Sequence, residues 1–243
     1  MKQHIRKRII FLALPVIVYA AVSFLNTNWY KAPVAAVHAD NVCLSPTPST
    51  STTPTPTPTP IPTIAWSKDR KLTWDDFQGP VPANPPPNIV AQSSVGVSSN
   101  WKTKEQCVGA GGGLRKCTVT ITEVSAQANF DPSKSWVKPG SKTDALLAHE
   151  QGHFDISEIF ARKKQEKMNK LIGTSETATA CSNEEALKEA NKKIEADVMK
   201  VCDEINKEED NMQDQYDKQT MNGTDPDKQK KWQDKIAKML EKK

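Results

Sequence analysis

A five-residue stretch, His149-Glu150-Gln151-Gly152-His153, combines the residue types of a metal-dependent hydrolytic site. Residues four apart lie on one face of an α-helix, so both imidazoles can point toward one cation. Glu150 follows the first histidine and can reach a water beside that cation, where its carboxylate would act as a general base. The pattern therefore predicts a metal bound by His149 and His153, with Glu150 as the catalytic residue.

The residues around this stretch favour a buried site over the alternative of two surface histidines on a charged helix. Leu146 and Leu147 precede it, and Phe154 and Ile156 follow it within one helical turn. Buried imidazoles need polar partners, because an unpaired buried polar group costs free energy. The two other histidines of the chain are far away in sequence, at positions 4 and 38.

The metal site needs a third protein ligand, because a catalytic zinc ion usually has three and keeps one position for water. No histidine follows His153, so we expect a carboxylate and predict Zn²⁺ as the cofactor. If the next helix packs antiparallel on the first, its residues near Ile205 lie level with the metal. The acidic residues in and after that region are Asp203, Glu204, Glu208, Glu209, Asp210, Asp214 and Asp217.

Three helices are predicted to position these residues. The helices are predicted from apolar residues that recur every three or four positions. Their bounds are predicted from capping residues before these segments and glycines after them. The helices span about Asp144–Leu171, a stretch that begins after Ser182 or Asn183, and about Asp225–Leu240.

Two strands are predicted before the helices, at Ile89–Trp101 and within Cys117–Phe130, where Thr118–Thr122 has strong β propensity. The glycines between them indicate a hairpin loop, which a disulfide between Cys107 and Cys117 would close. The threonine-rich strand is a candidate edge strand for aligning an extended peptide. The elements together predict an α+β fold, with a small antiparallel sheet packed against the helix of the His-Glu stretch and further C-terminal helices, as in zincins.

The N-terminus predicts the compartment. Lys2, Arg6 and two further basic residues precede an uncharged, mostly apolar run of 17 residues, from Ile9 to Leu25. This pattern predicts a single-pass membrane anchor with the C-terminal domain outside the cell. The alternative is a signal peptide cleaved after Ala39, followed by secretion. The wide separation between the apolar run and Ala39 favours the anchor.

The chain divides by composition into three parts. Residues 1–43 form the N-terminal signal-anchor or signal-peptide region, residues 44–63 alternate proline and threonine, and residues 64–243 form the folded domain. The proline-threonine tract predicts an extended polyproline II spacer. With a net charge of +4 and no basic stripe interleaved with aromatics, we expect no nucleic-acid partner.

Three further cysteines leave their pairing open. Cys181 and Cys202 flank a predicted helix, and a straight helix would hold them much too far apart for a disulfide. Either the helix breaks between them, or one of them pairs with Cys43, or both stay free.

Three groups of residues carry a resemblance to a known family. They are Leu72-x-Trp74-x-Asp76-Phe77-x-Gly79, then Leu146-Leu147-Ala148-His149-Glu150-x-x-His153-Phe154-Asp155-Ile156, then Tyr216-Asp217-x-x-Thr220-x-x-Gly223 with Gln229-x-x-Trp232. Nearly all of residues 64–243 thereby resembles the bacterial family catalogued as domain of unknown function 922, which is described as predicted zinc-dependent proteases. The resemblance implies a metallopeptidase-like site.

The resemblance also bears on the third metal ligand, for which we favour Asp217 ahead of Glu204 and Glu208. The family pattern has a histidine before its final glycine, where this chain has Asn222. If that histidine is a ligand in relatives, the metal site of this chain differs from theirs. If Asp217 is the ligand, the set of three is complete.

The function predicted from these residues is that of a zinc-dependent peptidase, exported or membrane-anchored, with a peptide or protein as substrate. Glu150 would take a proton from water and pass it to the leaving amine. Tyr216 is a candidate for stabilising the oxyanion of the transition state, with simple packing as its other role. The alternative function is a non-catalytic cell-surface binding module presented on the proline-threonine stalk.

Overall fold

The computed structural model describes residues 62–86 and 88–241. This part of the chain is an α+β structure with antiparallel strands and three helices, which confirms the predicted fold class at that level. The strands are β1 (Ile64–Ala65), β2 (Ala91–Gln92), β3 (Val95–Gly111), β4 (Leu114–Phe130), β5 (Trp136–Val137) and β6 (Ser175–Ala180). The helices are α1 (Asp144–Asn169), α2 (Asn183–Thr220) and α3 (Pro226–Glu241).

The long β3–β4 hairpin forms the centre of the main sheet. The two strands pair antiparallel from Val95 opposite Phe130 to Gly111 opposite Leu114. On its other side, β4 pairs with β1 at one end and with β6 at the other. The short strands β2 and β5 form a separate two-stranded sheet.

The predicted edge position of Thr118–Thr122 is wrong. These residues lie inside the sheet, because β3 pairs with one side of this part of β4 and β6 pairs with the other side of Thr118 to Thr120. Strand β6 was not predicted, because it is a short strand of polar and small residues with no buried apolar face. The predicted strand Ile89–Trp101 is instead two strands, and the chain leaves the first at Ser93 before joining the main sheet.

Cys107 and Cys117 lie directly opposite each other on β3 and β4 and are joined by a disulfide. Cys181 and Cys202 are both free, the first exposed and the second buried. The uninterrupted helix α2 separates them, which rules out the predicted option of a helix break between them. Cys43 lies outside the described residues.

Helix α1 begins at a side-chain cap, since the Thr143 hydroxyl accepts a hydrogen bond from the Leu146 N–H at 3.2 Å. This satisfies one of the donors left unpaired in the first turn of a helix. One apolar core packs α1 against the sheet and α3, with Phe130 and Phe154 at its centre. A second core lies under the first half of α2, where Ile194 and Val198 pack against β4.

Helices α1 and α2 run antiparallel, but their register differs from the predicted one. Lys167 bonds Glu204 at 2.6 Å, and Lys164 bonds the Asn206 side chain at 2.7 Å, so the Ile205 region lies near the C-terminal end of α1. The physical reason is β6, which separates the helices and lets α2 begin well beyond the end of α1. The second half of α2 therefore passes the histidines.

Two buried ionisable residues, Lys164 and Glu209, lie between these helices. Lys164 is fully buried, and Glu209 accepts a hydrogen bond from the buried Ser157 hydroxyl at 2.6 Å. Burial raises the pKa of the Glu209 carboxyl to about 7, although the Ser157 hydrogen bond and the Lys164 ammonium favour its charged form. Burial likewise lowers the pKa of Lys164. Both shifts follow from the cost of placing a charge in a low-dielectric interior.

The predicted membrane localisation is corrected here. No helix within residues 62–86 and 88–241 is both long and apolar enough to cross a membrane. The predicted single-pass anchor therefore has no support in this part of the chain, and neither it nor secretion is proposed for the protein. The region on which both rested, residues 1–43, and nearly all of the linker lie outside the described residues.

Replacing Glu209 with Gln tests whether burial raises the pKa of this carboxyl. Its folded pKa of about 7 exceeds the ordinary value of 4.5, so between these values the folded protein keeps a proton that the unfolded chain loses. The free energy of unfolding of the wild type then falls as pH rises from 4.5 through 7. Glu209→Gln lacks that fall and should gain roughly 2 to 3 kcal/mol relative to the wild type between pH 5 and pH 8, measured by urea unfolding of the metal-free protein.

Glu208→Gln is the matched control for this measurement. Glu208 neighbours Glu209 in sequence but is only partly buried and forms a salt bridge with Lys163. Its variant should keep the pH dependence of the wild type. If the free energy of unfolding of Glu209→Gln falls with pH as that of the wild type does, Glu209 does not have the raised pKa.

Candidate metal centre

Three side-chain atoms converge between α1 and α2. The Nε2 atoms of His149 and His153 lie 3.2 Å apart. The Asp217 Oδ1 atom lies 3.1 Å from the first of them and 2.9 Å from the second. His149 is buried, and Asp217 is about one-third exposed, so the group opens toward solvent on the side of the carboxylate.

The hydrogen bonds of Gln213 fix the orientation of the His153 ring. The Gln213 amide N–H donates to the His153 carbonyl oxygen at 3.1 Å, which can only accept. The amide oxygen of Gln213 therefore faces His153 Nδ1, at 2.7 Å, and that nitrogen must carry a hydrogen. In the neutral ring, Nε2 is then the unprotonated nitrogen with a free lone pair.

A second glutamine does the same for His149. The Tyr216 hydroxyl donates to the His149 carbonyl oxygen at 3.1 Å and accepts from the Gln229 amide nitrogen at 2.6 Å. The amide oxygen of Gln229 therefore faces His149 Nδ1 at 3.1 Å. In its neutral form, this ring too directs an unprotonated Nε2 toward Asp217.

The donor set fits a small divalent cation. Two imidazole nitrogens and a carboxylate oxygen present three lone pairs to one point, and a shared cation satisfies all of them at once. Atoms bound to a tetrahedral zinc ion at about 2.0 Å lie about 3.3 Å from one another, close to the 2.9 to 3.2 Å found here. Among the described residues, His149, His153 and Asp217 are a group that could hold a metal.

The electrostatics of the three residues also favour a bound cation. Burial disfavours the imidazolium form of His153, but the Asp217 carboxylate outweighs it and raises the pKa of His153 to about 9. Burial likewise opposes ionisation of Asp217, yet the two imidazoles hold the pKa of its carboxyl well below its usual range. A positive charge between these groups is thus stabilised, and a metal ion must displace a proton to bind.

The third residue of the predicted pattern, Glu150, lies beside this centre and is buried. The Ser93 hydroxyl donates to its Oε2 atom at 2.5 Å. Ser93 follows β2, so this contact joins α1 to a residue 57 positions earlier in the chain. The hydrogen bond holds one carboxylate oxygen of Glu150 in place.

A cleft of about 290 Å³ contains all four of these acidic and imidazole groups. One wall is the segment from Asn88 to Ser93, which includes β2, and another is the first turn of α1. Asn222, Gly223 and Thr224 close the end of the cleft. The charged residues that line it are the carboxylates Glu150, Asp214 and Asp217.

Tyr216 does not have the predicted position for stabilising a transition state. Its side chain is fully buried, and its hydroxyl is bonded to the His149 carbonyl and to Gln229. The ring stacks on the His149 imidazole, with 4.7 Å between ring centroids. Burial raises the pKa of the hydroxyl. Tyr216 therefore supports the first histidine from behind and cannot reach the cleft.

Two glycines allow close approaches to this centre. A Cβ atom at Gly152 would lie 2.2 Å from the Tyr216 hydroxyl oxygen. At Gly223, where φ is +77°, a Cβ atom would lie 2.8 Å from the Cβ and Cγ atoms of His149. Gly152 thus lets a side chain of α2 approach α1, which explains a glycine in the middle of a helix.

The other predicted ligands lie elsewhere. Glu204 and Glu208 form salt bridges with Lys167 and Lys163, nearer the C-terminal end of α1. Glu209 bonds Ser157, two helical turns from His149. Asn222, which occupies the histidine position of the resembled family, lines the cleft with a left-handed backbone, φ 53°.

Three residues that support the site were not predicted from the sequence: Ser93, Gln213 and Gln229. Gln229 belongs to the motif that carried the family resemblance, but no role was assigned to it. Gln213 stands four residues before Asp217, so a helix with Asp217 as ligand would place both on one face. Ser93 had no signal, because a serine in a serine- and valine-rich stretch has no distinguishing neighbours.

Comparison with known proteins identifies a family. A family model described as "Bacterial protein of unknown function (DUF922)" matches residues 73–224, which is more than half of the chain. These residues include His149, Glu150, His153 and Asp217, but not Gln229. No curated protein and no solved structure matches the chain.

Gly152→Ala tests the close approach of Tyr216. At an ordinary position inside a helix this substitution stabilises a protein by up to about 1 kcal/mol. Here the added methyl group overlaps the Tyr216 hydroxyl, so we expect a loss of about 1 to 3 kcal/mol in the free energy of unfolding, measured by urea denaturation. Gly109→Ala is the matched control, because a Cβ atom there meets Arg115 at an ordinary 3.9 Å. Stabilisation by Gly152→Ala would contradict the described packing.

Proposed function

The chain belongs to the bacterial family of unknown function DUF922, and we propose that it is a zinc-dependent peptidase. One observation carries the proposal. Two imidazoles, each with Nδ1 bonded to a glutamine oxygen, direct their Nε2 atoms at one carboxylate oxygen, beside a buried glutamate. This is a three-ligand set with a general base next to it, as in catalytic zinc sites.

The residues that would hold the zinc ion are His149, His153 and Asp217. Two nitrogens and one oxygen suit zinc, and a set of three protein ligands is characteristic of catalytic rather than structural sites. When bound, the ion supplies a Lewis acid that acidifies water and polarises a carbonyl group. Because Asp217 completes the set of three, Asn222 is not needed as a ligand.

Glu150 is the general base of this proposal. It stands next to His149 and lines the same cleft, so its carboxylate can take a proton from water as the water oxygen bonds to the carbonyl carbon of a peptide. The glutamate then donates this proton to the nitrogen of the leaving amine as the peptide bond breaks. Ser93 holds one oxygen of the carboxylate and thereby fixes its direction.

The segment around β2 replaces Thr118–Thr122 as the proposed docking strand for the substrate. Its pairing with β5, including the 2.7 Å bond from Lys138 N–H to the Val90 carbonyl, turns the backbone groups of Val90 and Gln92 toward β5. By alternation, those of Ala91 and Ser93 face the other side. Both residues line the cleft, so an extended peptide can pair with this edge. A strand beside the helix of the His-Glu pattern is a zincin-like arrangement.

Asp217→Asn tests the metal site without relying on activity. The substitution keeps the shape of the side chain but removes the negative charge that attracts the cation. We expect the wild type to bind one zinc ion per chain, and Asp217→Asn to bind it at least about 100-fold more weakly, since even outer partners of ligands contribute about 10- to 100-fold. Competition with a fluorescent chelator measures the affinity.

Asp214→Asn is the control for this experiment. Asp214 lies one turn earlier on the same helix and lines the same cleft, but it does not contact either histidine ring within the described structure. Its variant should bind zinc within about threefold of the wild type, because it is not one of the ligands. Equal zinc affinities for wild type and Asp217→Asn would exclude Asp217 as a ligand.

Glu150→Gln tests the chemistry. The amide keeps the size of the side chain and leaves the three ligands intact, so zinc content should not change. It cannot accept the proton, so kcat/KM on casein or on a mixture of fluorescence-quenched peptides should fall about 10²- to 10⁴-fold. Glu158→Gln, on the same helix and paired with Arg162, is the matched control and should keep full activity.

The outcomes separate peptidase from binding module. Hydrolysis by the wild type that survives in Glu150→Gln would exclude the assigned base. A wild type that binds zinc but cleaves no peptide in the mixture would favour the non-catalytic binding module.

A further inference from the structure

A chain of hydrogen bonds leads from the second histidine into the interior of the helix pair. His153 Nδ1 bonds the Gln213 amide oxygen at 2.7 Å, and the Gln213 amide nitrogen lies 3.3 Å from the Ser157 hydroxyl oxygen. The Ser157 hydroxyl in turn donates to the Glu209 Oε1 atom at 2.6 Å. Glu209 is thus connected to His153, a proposed metal ligand, through Ser157 and Gln213.

When Glu209 is ionised, each bond in this chain has one possible direction. Gln213 uses its amide hydrogens on the His153 carbonyl and on Ser157, so it must present its oxygen to the imidazole. Ser157 can accept from Gln213 because its own hydrogen points to the carboxylate of Glu209. The acceptor at the end of the chain therefore orients every donor before it.

The Ser157 hydroxyl has a second possible acceptor, and Glu209 keeps the hydroxyl from turning to it. A serine hydroxyl inside a helix readily donates to the carbonyl four residues earlier. For Ser157 that carbonyl belongs to His153 and already accepts from Gln213. Without Glu209, the hydroxyl can turn to this carbonyl, compete with the Gln213 amide there and release the amide to flip.

The burial of Glu209 also calls for an explanation. Lys164 faces it from α1, but the Lys164 ammonium bonds Asn206 at 2.7 Å and the Val97 carbonyl at 3.4 Å. Asp210, on the same helix, opposes its ionisation, while the Gln213 amide favours its charged form. Apolar residues of similar volume often fill such a place at no cost in stability. An acid is retained here in contact with the hydrogen-bond chain to His153.

We propose that Glu209 is a positioning residue, which acts through Ser157 and Gln213 to hold His153 in the tautomer with an unprotonated Nε2 facing Asp217. The proposal rests on the metal site of the proposed function. It predicts that Glu209 contributes to zinc affinity although two side chains separate it from His153.

Three variants test the proposal at pH 8, where Glu209 is charged. Glu209→Leu removes the acceptor and should weaken zinc binding about 10- to 100-fold, the usual effect of losing an outer partner of a metal ligand. Glu209→Gln keeps an oxygen that accepts from Ser157 and should stay within about threefold of the wild type. Glu208→Leu, the matched surface control, should bind as the wild type does. Competition with a fluorescent chelator measures all three affinities.

The tautomer itself gives a readout that a merely structural role would not change. In the metal-free protein at pH 10, where the His153 ring is neutral, ¹⁵N–¹H correlation spectra show which ring nitrogen carries the hydrogen. The measurement uses an Asp217→Ala background, which removes the carboxylate that would itself favour a hydrogen on Nε2 of His153. In that background, Nδ1–H is expected at His153 with Glu209 or Glu209→Gln, and a marked gain of Nε2–H with Glu209→Leu. Unchanged tautomer and zinc affinity in Glu209→Leu would overturn the proposal.

The proposal can still be tested if Glu209→Leu does not fold or if the wild type binds no zinc. If Glu209→Leu does not fold, Ser157→Ala breaks the same chain at the next link and should cause the same tautomer shift; its absence would overturn the proposal. If the wild type binds no zinc, the proposed function fails. The tautomer shift in the metal-free protein then still establishes the role of Glu209.

Discussion

The structure depends on three lone pairs that face each other at 2.9 to 3.2 Å inside a helix pair. Such an arrangement repels itself unless a cation lies between the atoms, and the surrounding residues keep it from relaxing. Two glutamines bond the outer nitrogens of the histidines, and a stacked tyrosine ties down the backbone of the first. Farther along the contact between α1 and α2, the polar residues form salt bridges instead, as Lys163 does with Glu208 and Lys167 does with Glu204.

The antiparallel register of the two long helices produces the arrangement. Positions four and eight residues apart share a face of each helix, so one register aligns several pairs at once. The pairs are His149 with Asp217, His153 with Gln213, and Ser157 with Glu209. These three polar pairs do not stabilise the fold by themselves. The stability comes from apolar residues of the helices, which pack against the sheet and α3. The burial of Glu209 opposes its ionisation, and in our proposal this acid orients the site through Ser157 and Gln213.

Much of the architecture could be predicted from the sequence. The three helices, the two long strands and the α+β class follow from apolar periodicity and capping residues, which are local signals. The strand β6 was missed because its residues are polar and small, and it pairs with β4 on the strength of tertiary contacts. That omission explains two errors, since β6 covers the strand predicted as an edge and shifts α2 along α1.

The sequence by itself determined that His149 and His153 share a face with Glu150 beside them, because helical periodicity acts within four residues of the chain. Only the tertiary structure decided which carboxylate joins them, which glutamines orient them and which hydroxyl holds the glutamate. Those partners lie 57 to 80 residues away along the chain. Their alignment depends on the register of two helices, and that register is fixed by all the packing between them.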